Sequence, residues 1–150
     1  MTWTFVDQTI AALCAWMEDR SGGQQGMTAV LNVIGNRSAA TGDSPYAVCT
    51  AHAQYTSMSK PINWPTPANV ADYEAWEIAL TLVEAAANGG LPDITGGATL
   101  YYAIDLPASE HRLGKTFTLP SGEVIPFPDS WNEAVVTYKA SVGGQVYFSE

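Results

Sequence analysis

Positive charge is scarce in this chain of 150 residues: six Lys and Arg stand against fifteen Asp and Glu, a formal net charge of −9. Phosphate backbones and anionic lipid surfaces are bound through clustered cations. Nucleic acid and membrane surfaces are therefore excluded as partners on charge. The same deficit gives no general attraction to an anionic polymer, so a specific cleft must hold any such substrate. No run is long and apolar enough to span a bilayer, and no membrane insertion is expected. Histidine is almost as rare: His52 and His111 lie far apart and lack ligand spacing, so structural or surface roles are expected of them. Without a CxxC pair or a His cluster, no metal and no cofactor is expected. Cysteine occurs twice, at Cys14 and Cys49. Buried free thiols are expected, with a disulfide as the alternative if the chain reaches an oxidising compartment.

What is present is a large apolar fraction, 47%, enough for a single domain over residues 1–150 with a sizeable core. Val6, Ile10, Leu13 and Met17 recur at helical spacing and predict a helix over about residues 4 to 20, stopped by Ser21-Gly22-Gly23. Met27, Val30, Val33 and Ile34 predict a second helix over about 25 to 40. A short helix is expected from Pro45 to Ala51, and a longer one from Pro67 to about Ala87. After Gly97 the pattern turns β-prone. Residues 98–104 read as a strand, 116–119 and 122–127 as a small hairpin, and 135–142 with 145–148 as a second hairpin about Gly143-Gly144. Helices followed by short antiparallel strands make an α+β domain.

Glu18 is the residue most suggestive of chemistry. It closes the first helix beside Trp16 and Met17 and is followed by Gly22, Gly23 and Gly26. A carboxylic acid serves as a general acid near neutral pH when its proton is held more tightly than usual. A helix C-terminus and apolar neighbours both act in that direction. A glycine-rich loop beside it lets a substrate approach the backbone closely.

From Glu18 the chain reads EDRSGGQQGMTAVLNVIGNR. This resembles the opening motif of the spore-cortex-lytic and cell-wall hydrolases (SleB/CwlJ-like), loosely E-A-x-G-E, three residues, G, then A-V-x-x-V-x-x-N-R. Glu18, Gly26, Ala29, Val30, Val33, Asn36 and Arg37 fall in register without a gap. Gln54-Tyr55-Thr56 is similar to the family's Q-F-S segment, and Gly96-Gly97-Ala98 with Tyr101-Tyr102 to its G-G-A-x-x-Y-Y segment. Trp131 and Val146-Tyr147-Phe148 resemble its closing blocks. Asp19, Ser21 and Gly22 depart from it, standing where the family has Ala, Gly and a second Glu.

The resemblance implies a lysozyme-like fold, in which a helical lobe and a small sheet bound a glycan cleft. It implies peptidoglycan as the partner and cleavage between N-acetylmuramic acid and N-acetylglucosamine as the reaction, with Glu18 as acid and then base. It places Gln54, Tyr55, Thr56, Ser57, Gly97, Ala98, Tyr101 and Tyr102 at the substrate. Tyr101 and Tyr102 alternate along a strand, so only one can point to a given face, and Tyr102 is the one expected in the core. Asn36 and Arg37 are expected to tie the second helix to neighbouring backbone, and Trp64, Trp76 and Trp131 to pack.

Hydrolysis of a glycosidic bond usually needs a second carboxyl. Asp19, Asp43, Glu74, Asp93 and Asp105 are available, and none has a context that singles it out; Asp19 points about 100° away from Glu18 on a regular helix. A lytic transglycosylase needs only one, because the sugar's own 6-hydroxyl replaces water and leaves a 1,6-anhydro end. That is the favoured expectation. The alternatives are a water-using muramidase and a catalytically idle glycan-binding or phage structural protein. The opening MTWTFVDQT has no basic stretch and contains Asp7, so no secretory leader is expected. A monomer made in the cytoplasm is expected, reaching the wall after release, for example through a holin as a phage endolysin does.

Overall fold

The computed structural model describes residues 2–51 and 69–150. Among these residues, four α-helices come first: α1 (Phe5–Asp19), α2 (Gly23–Thr41), α3 (Pro45–Thr50) and α4 (Val70–Ala87). Five short strands follow among the described residues: β1 (Leu100–Ala103), β2 (Thr116–Thr118), β3 (Val124–Pro126), β4 (Thr137–Val142) and β5 (Gln145–Ser149). The architecture is α+β, with the helices first and short antiparallel strands after them, as the sequence pattern predicts.

Helix α1 starts at a capping box. Thr4 accepts the Asp7 N–H at 3.1 Å, and Asp7 Oδ2 accepts the Thr4 N–H at 2.8 Å. The second oxygen of Asp7 accepts the Tyr46 N–H at 3.0 Å, so one buried carboxylate fixes the starts of both α1 and α3. Burial opposes its ionisation, but the hydrogen bonds from Thr4 and Tyr46 outweigh burial and hold the Asp7 carboxyl below its usual range.

The helical core is built from Leu13, Trp16, Met27, Leu31, Ile34 and Val83, with smaller residues between them. Trp16 is the largest of these. Its indole N–H donates to the Asp72 carbonyl at 2.8 Å, and Arg20 lies 4.5 Å over its ring while pairing with the Asp72 carboxylate at 3.3 Å. Thus α1 and α4 are locked at one point by apolar, hydrogen-bonded and ionic contacts together. Trp76 packs edge-on against Trp16 but is only half-buried. Cys14 and Cys49 are both buried free thiols. Burial first, and then its neighbour Cys49, push the Cys14 thiol well up.

The strands form two antiparallel sheets, one in the order β1-β5-β4 and one pairing β2 with β3. Gly143, at φ 59°, and Gly144 close the β4–β5 turn, as the hairpin signal requires. Tyr102, Phe127 and Phe148 centre an aromatic core, with Trp131 edge-on to all three. A third cluster, Ala29, Val33, Ala98, Val142 and Tyr147, seals the sheet against α2.

One sequence reading needs correction. The glycines after Glu18 do not form an open loop. A single 3-10 turn, Arg20–Gly22, joins α1 to α2, and Gly23 and Gly26 lie inside α2. The reason is close packing: Gly22 and Gly26 both sit against the carboxylate of Asp19. Asp19 itself leaves the helical conformation, at φ −150° and ψ 43°, so the regular-helix angle does not describe how it stands to Glu18.

Candidate active site

A cleft of about 950 Å³ opens where the helices meet the sheet. Glu18 and Arg37 contribute from α1 and α2, Tyr101 and Tyr102 from β1, Gln145 from β5, and two loops, about 103–110 and 128–131, close the far side. The volume lies in the range of small-molecule sites. Glu18 is half-buried at the end of α1. Its charge is felt by Cys14 one turn back, by Asp19 and by Tyr147. Tyr147 is fully buried and donates to Gln145 Oε1 at 2.8 Å. Burial, then the charges of Asp19 and Glu18, push its hydroxyl far above the ordinary tyrosine range. Glu18 therefore sits on the seam between α1 and β5.

The Asn-Arg pair on α2 builds the wall behind this seam. Asn36 donates to the Ala98 carbonyl at 2.9 Å and to Asp93 Oδ2 at 3.1 Å, and the Arg37 Nε donates to the Thr99 carbonyl. Asp93 also accepts from the Thr95 N–H and hydroxyl and from the Gly97 N–H. Partial burial opposes ionisation of Asp93, and these hydrogen bonds overcome it, lowering its pKa. Gly96 and Gly97 adopt φ 67° and 89°, which the turn around Asp93 requires. The expected backbone tie through Asn36 and Arg37 is thus present, and Arg37 borders the cleft as well.

Tyr101 and Tyr102 face opposite ways. Tyr101 stacks on Tyr147 with centroids 5.3 Å apart. Tyr102 is buried and donates to the Pro126 carbonyl at 2.8 Å; burial raises its pKa to about 12. Both contribute to the cleft wall. Gly97 and Ala98 do not line it: Gly97 is exposed on the Asp93 turn and Ala98 is wholly buried beneath β5. Gln54, Tyr55, Thr56 and Ser57 lie outside the described residues, as do His52, Trp64 and Pro67.

Three further carboxylates line the cleft: Asp105, Glu110 and Asp129. Of these the sequence reading named only Asp105. Asp129 accepts the Arg112 N–H at 2.7 Å and the Leu113 N–H at 3.0 Å, one on each oxygen. Those bonds, led by Leu113, hold its pKa low and clasp the two loops together. Lys115 adds to the clasp, donating to the Asp129 and Trp131 carbonyls. Asp105 and Glu110 are exposed, and among the described residues no hydrogen bond fixes either side chain. Trp131 packs as expected and also lines the cleft.

The family profile described as Cell Wall Hydrolase matches residues 21–118. The chain belongs to the cell wall hydrolase family. No curated protein and no solved structure matches it. A cell wall hydrolase is a peptidoglycan-degrading enzyme, and a cleft of this size between helices and sheet suits a polymeric glycan. The match takes in Asn36, Arg37 and the Gly96-Gly97 turn but starts three residues after Glu18. Glu18 itself lies outside the matched span, at the inner wall of the cleft of this cell wall hydrolase. Among the described residues no helix is long and apolar enough to cross a membrane, and no group of His, Cys and carboxylates is gathered to hold a metal ion.

Proposed function

We propose that this cell wall hydrolase cuts the glycan strand between N-acetylmuramic acid and N-acetylglucosamine as a lytic transglycosylase, with Glu18 as the single acid and base. The Glu18 carboxyl gives its proton to the glycosidic oxygen as the bond from C1 breaks. The resulting carboxylate then takes the proton of the 6-hydroxyl as that oxygen bonds to C1. No water and no second carboxylate enter. The observation that carries this reading is the unequal engagement of the carboxylates in the cleft. Glu18 is half-buried on the packed seam, Asp129 has both oxygens occupied by backbone, and Asp105 and Glu110 are exposed and unanchored. A water-using muramidase needs one of the last two as its second group.

Tyr101, backed by its stack on Tyr147, and Trp131 offer aromatic surface for sugar rings. Gln54, Tyr55, Thr56 and Ser57 are proposed as further substrate contacts on the resemblance alone. Glu18→Gln keeps the side chain's shape but cannot donate and recover a proton. It should lower the rate of cell-wall lysis by about 10²–10⁴-fold. Near-normal lysis by a folded variant would remove Glu18 from its role.

A further inference from the structure

A second cavity, of about 390 Å³, adjoins the cleft, and Arg37 and Leu100 line both. Ala40 reaches it from the end of α2, Ala47 and Val48 from α3, and Leu100 from β1. Its shape is fixed at the turn between α2 and α3. Ser38 Oγ donates to the Asp43 carbonyl at 2.6 Å, Gly42 takes the left-handed conformation at φ 80°, and the Asp7 carboxylate holds the start of α3. The Arg37 Nε, donating to the Thr99 carbonyl, holds the guanidinium at the boundary between the two spaces. The exposed residues Asp43 and Glu150 complete the lining with two carboxylates. Among the described residues no aromatic ring lines this cavity, whereas Tyr101, Tyr102 and Trp131 line the cleft. The two spaces therefore suit different chemistry: rings in the cleft, small apolar groups flanked by charges beside it.

We propose that this cavity is a stem-peptide site, which takes the short peptide branching from the muramic acid held in the cleft. A glycan strand of peptidoglycan carries that one branch, joined through the lactyl group of N-acetylmuramic acid. Its groups match the lining: alanine methyls for Ala40, Ala47, Val48 and Leu100, a free carboxylate for Arg37, and the free amine of its diamino residue for Asp43 and Glu150. Arg37 and Leu100 stand where the branch would leave the strand, because they are the residues shared with the cleft. Contacts of this kind hold ground state and transition state equally, so they lower KM and leave kcat alone.

This inference rests on the proposed cleavage of the glycan strand in the cleft, and the test separates the two. Soluble, uncross-linked peptidoglycan strands are compared with the same strands freed of their stems by an amidase. KM, kcat and Tm are measured for wild type, Ala40→Trp and the double variant Asp43→Asn/Glu150→Gln. Wild type should show a KM on the order of tenfold lower on strands with stems, the worth of a modest apolar contact in a pocket. Ala40→Trp puts an indole into the cavity and should raise KM on stemmed strands to the stem-free value, with KM on stem-free strands unchanged. The double variant should raise KM on stemmed strands alone, by up to about fivefold, the scale of exposed ion pairs. Equal KM for the two substrates in wild type would overturn the stem site, and glycan fragments released from both would leave the cleft reading standing. A folded Ala40→Trp that keeps the preference for stemmed strands would overturn it too. The double variant alters only exposed positions, and an unchanged KM on stemmed strands in it would have the same force. If neither substrate yields glycan fragments, the cleft reading falls and the stem site with it.

Discussion

The carboxamide of Asn36 joins the Ala98 carbonyl and the Asp93 carboxylate, partners 62 and 57 positions away, through one NH2 group. That single side chain holds the turn leading into β1 against α2, and β1 carries Tyr101 and Tyr102 into the cleft. Asn36→Ala would strip the Ala98 carbonyl of this partner beneath a buried residue. A loss of about 1–3 kcal/mol is expected, the cost of leaving a buried acceptor unsatisfied. Urea denaturation would measure it. An unchanged midpoint would show that the turn is held by its own hydrogen bonds.

Acid should weaken the fold through Asp7 and Asp93. Both have folded-state pKa values below the ordinary 3.8, because hydrogen bonds overcome burial. A depressed carboxylate contributes stability that is complete above its unfolded pKa and is lost as pH falls through the folded one. The loss should therefore set in below about pH 5 and deepen beneath 3.8. Asp19 has the reverse sign: its raised pKa makes its ionised form a cost that appears as pH rises past 3.8. Melting temperature followed against pH should fall on the acid side, and Asp7→Asn should flatten that limb. A slope unaltered in the variant would contradict the assignment.

Two tryptophans in edge contact should differ in stability. Trp16 is 2% exposed and hydrogen-bonded to Asp72, whereas Trp76 is half-buried. Trp16→Ala should cost about 3–5 kcal/mol and Trp76→Ala distinctly less. Thermal melts of the two variants would decide it, and equal losses would mean that the indole hydrogen bond and the Arg20 contact add nothing.

The helices and hairpins were legible because each is governed by local rules. Periodic apolar positions mark α1 and α2, and Gly143-Gly144 fits only a two-residue turn. Asn36 and Arg37 were legible as backbone ties, since a buried helix face with two polar ends must satisfy itself against neighbouring carbonyls. The glycines after Glu18 were misread as open loop. Sequence shows that glycine leaves room but not what fills it, and here the filler is Asp19, three and seven positions back. Glu110, Asp129 and Gln145 were not legible as cleft residues. Their loops and strand reach the cleft only through the aromatic core and the Asp129 clasp, which link segments distant in sequence. Gly97 and Ala98 carried a motif and turned out to shape the turn rather than border the cleft.

Product analysis tests the central claim most directly. Purified peptidoglycan is digested, and the fragments are weighed by mass spectrometry before and after borohydride treatment. If Glu18 works alone, each new end is 1,6-anhydro-N-acetylmuramic acid, lighter by one water than a hydrolysed end and resistant to reduction. Reducible muramic acid ends would contradict the account, establish a muramidase, and direct attention to Asp105 and Glu110 across the cleft.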